Sequence, residues 1–242
     1  MGSSHQAIEH SSNQNCTLVI MAKAPKPGLV KTRLTRSLPV PAVTALYRCL
    51  LADTVALARS LSDVEVAIMC PGGDIDELTL LAGNSVRVVA QKGEGLAAGL
   101  TSVFAHFVAG QGRFIAFNSD SPHLPPSVLK NAFRLLTAHD VVVGPTHDGG
   151  YYLVGAKAVH PTLFENDGMG TGNALEGLLA RARSLDLSTG FTDPFYDVDV
   201  DNDLIRLADD LRAAPAKAPQ TAAWFAEWDH AVAELRTGTE GL

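Results

Sequence analysis

Short apolar runs alternate along this chain with stretches of helical periodicity. The runs fall at 16–22, 64–70 (VEVAIMC), 86–90 (VRVVA), 113–118 (RFIAFN) and 140–144 (DVVVG). Each is apolar almost throughout, the pattern of a strand covered on both faces. Between the first two runs, Leu46, Leu50, Leu57 and Leu61 recur at helix-compatible steps within 41–61. Buried strands separated by helices predict an α/β fold, with a mostly parallel twisted sheet and helices on both faces. Ligands of such sheets bind at the carboxyl ends of strands near a topological switch point. The segments that follow 16–22, 113–118 and 140–144 are therefore where chemistry is expected.

Beyond residue 150 the pattern changes. YYLVGA (Tyr151 to Ala156) reads as a strand, antiparallel because only a short loop separates it from the preceding one. A Gly-rich loop (Asn166 to Gly172) leads to a helix near 173–184, a strand near 185–189 and a helix over 203–212. After a Pro/Ala stretch (Ala213 to Pro219), one last helix presents Trp224, Trp228, Val232 and Leu235 on a single face, a packing stripe. No internal repeat or linker interrupts this, so 16–242 reads as one domain. Residues 1–15 (MGSSHQAIEHSSNQN) are polar, lack the apolar core of a signal peptide and read as a disordered segment that begins like an expression tag.

Composition narrows the partners. At 242 residues, with 46% hydrophobic and 19% charged residues, the chain has the make-up of an ordinary globular protein. No apolar run approaches the ~20 residues of a membrane span. A formal charge of -7 argues against a nucleic-acid polymer as partner but leaves room for a small anion in one basic pocket. Cys16, Cys49 and Cys70 are far apart with no C-x-x-C pair, which predicts buried thiols in a reducing cytoplasm rather than a disulfide frame or zinc site.

A basic pocket is suggested directly after the first strand, in MAKAPKPGLVKTRL (Met21 to Leu34). Pro25, Pro27 and Gly28 give that loop a fixed shape, and Lys23, Lys31 and Arg33 give it charge. Backbone N–H groups and cations converging there suit a polyphosphate. Taken singly each lysine reads as a solvated surface charge; the sequence Lys-Thr-Arg behind Pro-x-Pro-Gly and a strand favours phosphate. Ala22, Lys23, Gly28, Lys31, Thr32 and Arg33 are the nucleotide-binding candidates of this loop. Gln91 and Gly95, in the QKGEGL turn after the third run, can read a nucleobase edge, although a plain glycine turn explains them as well.

Carboxylates supply the second half of a site. Asp120 follows Ser119, itself a nucleotide-binding candidate, at the end of the fourth run, ahead of Pro122, and either projects into the crevice or caps a turn. In DPFYDVDVDNDL, Asp197, Asp199 and Asp201 share a face if the segment is extended. Carboxylates on one face repel unless a cation sits among them, which makes Asp120, Asp197 and Asp199 candidate ligands for Mg²⁺ or Mn²⁺. Asp201 or Asn202 can instead cap the next helix, with Asp203 in its first turn. In GPTHDGGYY, Asp148, Gly149, Gly150 and Tyr151 form the candidate acceptor site, although a structural hairpin explains the glycines nearly as well. His123 and His147 read as surface residues as readily as catalytic ones. Nucleophile-elbow, zincin, P-loop and dinucleotide-fold fingerprints are absent from the sequence.

Together, KAPKPGLVKTRL, NSDSPHLP, VVVGPTHDGGYYLVG and DVDVDNDL, in that order, resemble the DUF2064 family within the GT-A-type nucleotide-diphospho-sugar transferases, from about residue 17 to 212. The resemblance implies a single-domain, Rossmann-like sheet with one antiparallel excursion. It places Lys31, Thr32 and Arg33 on the phosphate loop, Asp120 on the first metal position and Asp199 on the second. GEGLAAGL departs from the family's Leu-Gly-Glu-Arg element towards the phospholactate guanylyltransferase type, and GMGTG (168–172) replaces its Trp-Ser-Thr element. The implied activity is a Mg²⁺-dependent nucleotidyltransferase that joins an NMP to a small phosphorylated acceptor, with Lys31, Arg33, Asp120 and Asp148 as the catalytic set. A glycosyltransferase using an NDP-sugar, with Asp148 as base, is the alternative; a non-catalytic nucleotide-binding protein is a third reading. A homodimer is compatible with either enzyme.

Overall fold

A computed structural model of the chain describes residues 15–107, 112–165 and 172–239. Its centre is a seven-stranded sheet in the order β3-β2-β1-β4-β6-β5-β7. The strands are β1 (Asn15–Met21), β2 (Val64–Cys70), β3 (Arg87–Ala90), β4 (Gly112–Asn118), β5 (Val141–Pro145), β6 (Tyr151–Ala156) and β7 (Thr189–Phe191). β6 alone runs antiparallel, between β4 and β5, as the short 146–150 connection predicts. The expected α/β architecture is the observed one.

The helices are α1 (Val40–Arg59), α2 (Ile75–Ala82), α3 (Gly95–Phe107), α4 (Pro126–Ala138), α5 (Ala174–Ser184), α6 (Asp201–Ala213), α7 (Pro219–Glu227) and α8 (Asp229–Thr239). Alternation along β1 divides the core. Leu18 and Ile20 face Leu51 and Val55 of α1, Leu78 of α2 and Phe133 of α4. Val19 and Met21 face Leu100 and Phe104 of α3 and Leu178 of α5 on the opposite side. Burying such a side chain is worth about 1.5–3 kcal/mol. Helix propensity differs by at most about 0.7 kcal/mol between ordinary residues, so packing sets these helices. A third cluster joins the first half of α1 to α6, α7 and α8 through Leu46, Leu50, Tyr196, Leu207 and Trp224.

Four expectations need correcting. The expected strand at 185–189 lies instead at Thr189–Phe191, where it pairs with β5. Leu185 ends α5 and Asp186 takes a positive φ of 54°, so the apolar residues there form a turn. The single last helix is two, broken at Trp228, whose N–H still bonds to the Trp224 carbonyl. Its stripe does pack: Trp224 and Val232 are buried. The 20 residues of α1 do have the length and mean hydropathy (1.4) of a membrane span, yet 56% of that window is buried against the protein's own cores. None of the three cysteines is in a disulfide, but only Cys70 is buried and the other two are half-buried. The disordered-segment expectation, apart from Asn15, which opens β1 instead, and most of the GMGTG element lie outside the described residues.

The order of strands places the crevice. The chain runs outward from β1 to β2 and β3, then returns to β4 on the other side of β1. Met21 and Asn118, the last residues of β1 and β4, are direct neighbours in register. The loops that leave them therefore diverge from one point, the switch point of the sheet.

Candidate active site

At that point lies a cavity of about 840 Å³. Its border includes Met21, Met69, Gln91, Gly93, Gly95 and Leu96 as well as Lys23, Lys31, Thr32, Arg33, Asp120 and Asp199. Of the candidates read from the sequence, Ala22, Lys23, Lys31, Thr32, Arg33, Gln91, Gly95, Ser119, Asp120 and Asp199 all border it. Gly28 does not; its φ of 72° turns the loop instead. Asp148, Gly149, Gly150 and Tyr151 do not border it either. They form the β5–β6 turn at the same sheet edge.

That turn is tightly built. Asp148 Oδ1 accepts hydrogen bonds from Thr146 Oγ1 and from the Gly150 N–H. Gly149 has a φ of 85°, and a Cβ there would stand 1.9 Å from the Gly172 carbonyl oxygen. The glycines are thus accounted for by the hairpin, and one oxygen of Asp148 is committed to it. His147 is exposed beside it.

The carboxylates do converge. Oxygen atoms of Asp120, Asp197 and Asp199 lie within 4.8 Å of one another. Asp201, expected on the same face, leaves it because α6 begins there; its Oδ2 accepts from Ser37 Oγ at 2.5 Å. Asp203 caps the same helix, accepting the N–H groups of Asp199 and Val200. Burial, then the charges of Asp120 and Asp199, push the Asp197 carboxyl up to about 6.

Lys31 lies among these acids. Its Nζ is 2.7 Å from Asp120 Oδ2 and 2.8 Å from Asp199 Oδ1, and its side chain is only 4% exposed. Asp120 and Asp199 raise its pKa despite burial, and its charge, together with that of Arg33, holds the Asp199 carboxyl low. Its backbone sits at φ 47°, a left-handed conformation that a non-glycine residue adopts at a cost of about 1–3 kcal/mol. The sequence reading aimed Lys31 at phosphate, whereas here its ammonium is the cation that the clustered carboxylates require. Arg33 reaches Asp199 Oδ2 more loosely, at 3.4 Å, with both side chains about half exposed.

Two residues that frame the site escaped the sequence reading. Tyr47 of α1 borders the cavity and is 4% exposed. A tyrosine in an otherwise apolar helical stripe is the available signal, because a buried hydroxyl needs a partner. Asp74 accepts the Ala24 N–H at 2.9 Å and pairs with Lys26, tying the basic loop to the start of α2. His123 is a correction: it is not a surface residue but is 3% exposed, with its ring 4.8 Å from Phe195 and 4.6 Å from Tyr196. Ser121 Oγ donates to the Tyr196 carbonyl at 3.0 Å. These contacts join the segment that carries Asp120 to the one that carries Asp197 and Asp199.

Solved structures share this architecture. A Desulfovibrio desulfuricans G20 protein, provisionally designated a nucleotide-diphospho-sugar transferase, superposes with a TM-score of 0.84 at 24% identity, over 92% of this chain and 98% of that one. Rv0371c of Mycobacterium tuberculosis H37Rv, in complex with manganese, gives a TM-score of 0.50 at 21% identity, over 81% and 98%. CMP:2-keto-3-deoxy-manno-octonic acid synthetase, in complex with CTP, gives 0.53 at 13% identity, over 84% and 99%. At these identities the likeness is one of fold. No protein of curated function matches the sequence. Residues 54–171 match the model of a family described as "Uncharacterized protein conserved in bacteria (DUF2064)", the family that the motifs indicated.

Proposed function

We propose that this chain is a divalent-metal-dependent nucleotidyltransferase, which transfers the NMP part of a nucleoside triphosphate to a small phosphorylated acceptor and releases pyrophosphate. The observation that carries this reading is the juxtaposition, in one cavity, of a cationic loop with Asp120 and Asp199, two members of a three-carboxylate cluster whose third, Asp197, lies behind the cavity border. The donor set fits a hard divalent cation, since it is all carboxylate oxygen and already holds a stand-in cation, the Lys31 ammonium. Asp120, Asp199 and Asp197 would hold the metal, which would draw charge from the α-phosphate.

The chain's own groups supply the rest. Lys23 and Arg33 neutralise the β- and γ-phosphates, so that pyrophosphate leaves with its charge matched. Lys31 joins them when a divalent cation takes its place among the aspartates. The attacking group is an oxyanion of the acceptor: its bond to the α-phosphorus forms as the bond to the β-phosphate oxygen breaks. No proton need move, which suits a cavity border without histidine among the described residues. The β5–β6 turn, at the same sheet edge, is where the acceptor would lie. The CTP complex of one fold neighbour and the manganese complex of another support a triphosphate and a divalent metal.

The designation of the D. desulfuricans protein favours a second reading, transfer from an NDP-sugar. That reading needs a base for an acceptor hydroxyl, and Asp148, the candidate, already spends one oxygen on Thr146 and Gly150. The test is direct. The protein is incubated with each of four NTPs, Mn²⁺ and a pool of phosphorylated metabolites, and pyrophosphate release is measured. Release of UDP or GDP from a sugar donor, without pyrophosphate from any NTP, would overturn the proposal.

A further inference from the structure

A hydrogen-bonded chain runs from the basic loop to Asp120. The Lys23 N–H donates to Tyr47 Oη at 3.1 Å. Tyr47 Oη and Ser119 Oγ are 3.1 Å apart, and Ser119 Oγ lies 3.2 Å from Asp120 Oδ1. Its direction is fixed at both ends. A backbone N–H can only donate, and an ionised carboxylate can only accept. Tyr47 must therefore accept from Lys23 and donate to Ser119, and Ser119 must donate to Asp120. Each hydroxyl polarises the next in a buried, low-dielectric setting. Burial and the Asp120 charge keep the phenol protonated, its pKa pushed up to about 12.

This arrangement divides the work of the Asp120 carboxylate. Oδ1 is occupied by the chain, which leaves Oδ2 directed at the cation position that Lys31 now fills. Thr54 Oγ1 adds a bond to the Ser119 carbonyl at 3.2 Å, so α1 holds the Ser119 backbone as well as its side chain. The other end of the chain is the loop that borders the cavity. A displacement of Lys23 would loosen the same hydroxyl that orients Asp120.

We propose that Tyr47 is a positioning residue. It orients Asp120 towards a divalent cation and couples that orientation to the conformation of the nucleotide-facing loop. The inference rests on the metal reading given above and extends it to a residue that touches neither metal nor acceptor. Outer-shell hydrogen-bond partners of metal ligands typically change affinity by about 10–100-fold when removed.

The experiment is a thermodynamic cycle on the full chain. Mn²⁺ binding is measured by titration calorimetry for wild type, Tyr47→Phe, Ser119→Ala and the double variant, alone and with each of the four common NTPs, and a thermal melt of each confirms folding. Each single variant should lose about tenfold in Mn²⁺ affinity. The double variant should lose no more than the worse single one, because either substitution breaks the same chain. Additive losses, or a lowered melting temperature with unchanged Mn²⁺ affinity, would reduce Tyr47 to a packing residue and overturn the inference while leaving the metal reading in place. Wild type that binds no Mn²⁺ with or without an NTP would remove the metal reading, and this inference with it.

Discussion

Lys31 Nζ and Asp120 Oδ2 are 2.7 Å apart, so the residue read as a phosphate ligand neutralises the residue read as a metal ligand. The same ammonium bonds Asp199 at 2.8 Å. A divalent cation held by these two aspartates would compete with Lys31 for the same oxygens. Lys31→Met should therefore bind Mn²⁺ alone about tenfold more tightly than wild type, or better, where tenfold is about 1.4 kcal/mol. Without metal the variant should melt lower, because two partly buried carboxylates lose their counter-charge. Added Mn²⁺ should restore more stability to it than to wild type. Calorimetry that finds equal or weaker Mn²⁺ binding in the variant would refute the competition.

Asp120→Asn should abolish Mn²⁺-dependent triphosphate binding while the fold persists, since Asp120 contributes to the cluster but to no core. Asp199→Asn should cause a partial to full loss. Asp193→Asn is the control: that residue is exposed, outside the cluster, and uses its backbone carbonyl to accept from the Tyr152 hydroxyl. A thermal-shift titration with Mn²⁺ and an NTP resolves the three, because a ligand at 100 times its Kd stabilises by about 2.7 kcal/mol.

Arg33→Ala should weaken triphosphate binding by about tenfold or more, with little effect on the matching NMP. A charge-assisted hydrogen bond is worth about 1.5–3 kcal/mol, and the Arg33 side chain is free enough to leave Asp199 for a phosphate. Equal losses for triphosphate and NDP-sugar, measured by calorimetry, would favour the glycosyltransferase reading.

Burial pushes the His123 imidazole down to about 4, with the Lys217 and Arg206 charges adding to the effect and Asp210 opposing it. The sign follows from linkage. Below about pH 6.5 the unfolded chain takes up a proton that the folded protein refuses until about pH 4. Stability should therefore fall across that window, by an amount on the order of 3 kcal/mol at its acid end. His123→Phe keeps an aromatic ring against Phe195 and Tyr196 but cannot titrate. The stability difference between variant and wild type, from denaturant midpoints, should grow as pH drops from 6.5 to 4. Parallel pH profiles would show that His123 is accessible to protons when folded.

Much of the site was legible because its pieces are local. Pro-x-Pro-Gly ahead of Lys-Thr-Arg names a shaped cationic loop, and carboxylates at strand ends name a cation site. What joins the pieces was not legible. Lys31 meets Asp199 across 168 residues, and no periodicity reports such a contact. The helical stripe of α1 predicts which face is buried but not which strand end its tyrosine reaches. The break at Trp228 has neither glycine nor proline to announce it, so α7 and α8 read as one helix. Asp148 illustrates an ambiguity of local sequence: a carboxylate two residues before a glycine serves a turn as well as it serves a substrate, and here Thr146 and the Gly150 N–H bond one of its oxygens.

The placement of the acids along the chain has a consequence for how the protein comes into being. The switch-point crevice and the cationic loop are encoded before residue 121, yet two of the three clustered carboxylates arrive only with Asp197 and Asp199. Closing a contact of such sequence separation is among the slower events in folding, because the intervening loop entropy is lost before the contact rewards it. During synthesis the elements that border the crevice emerge before the chain possesses a complete cation cluster. Competence for the proposed chemistry is therefore tied to docking of the last quarter of the chain, and a nascent or truncated product lacks two of the three clustered carboxylates.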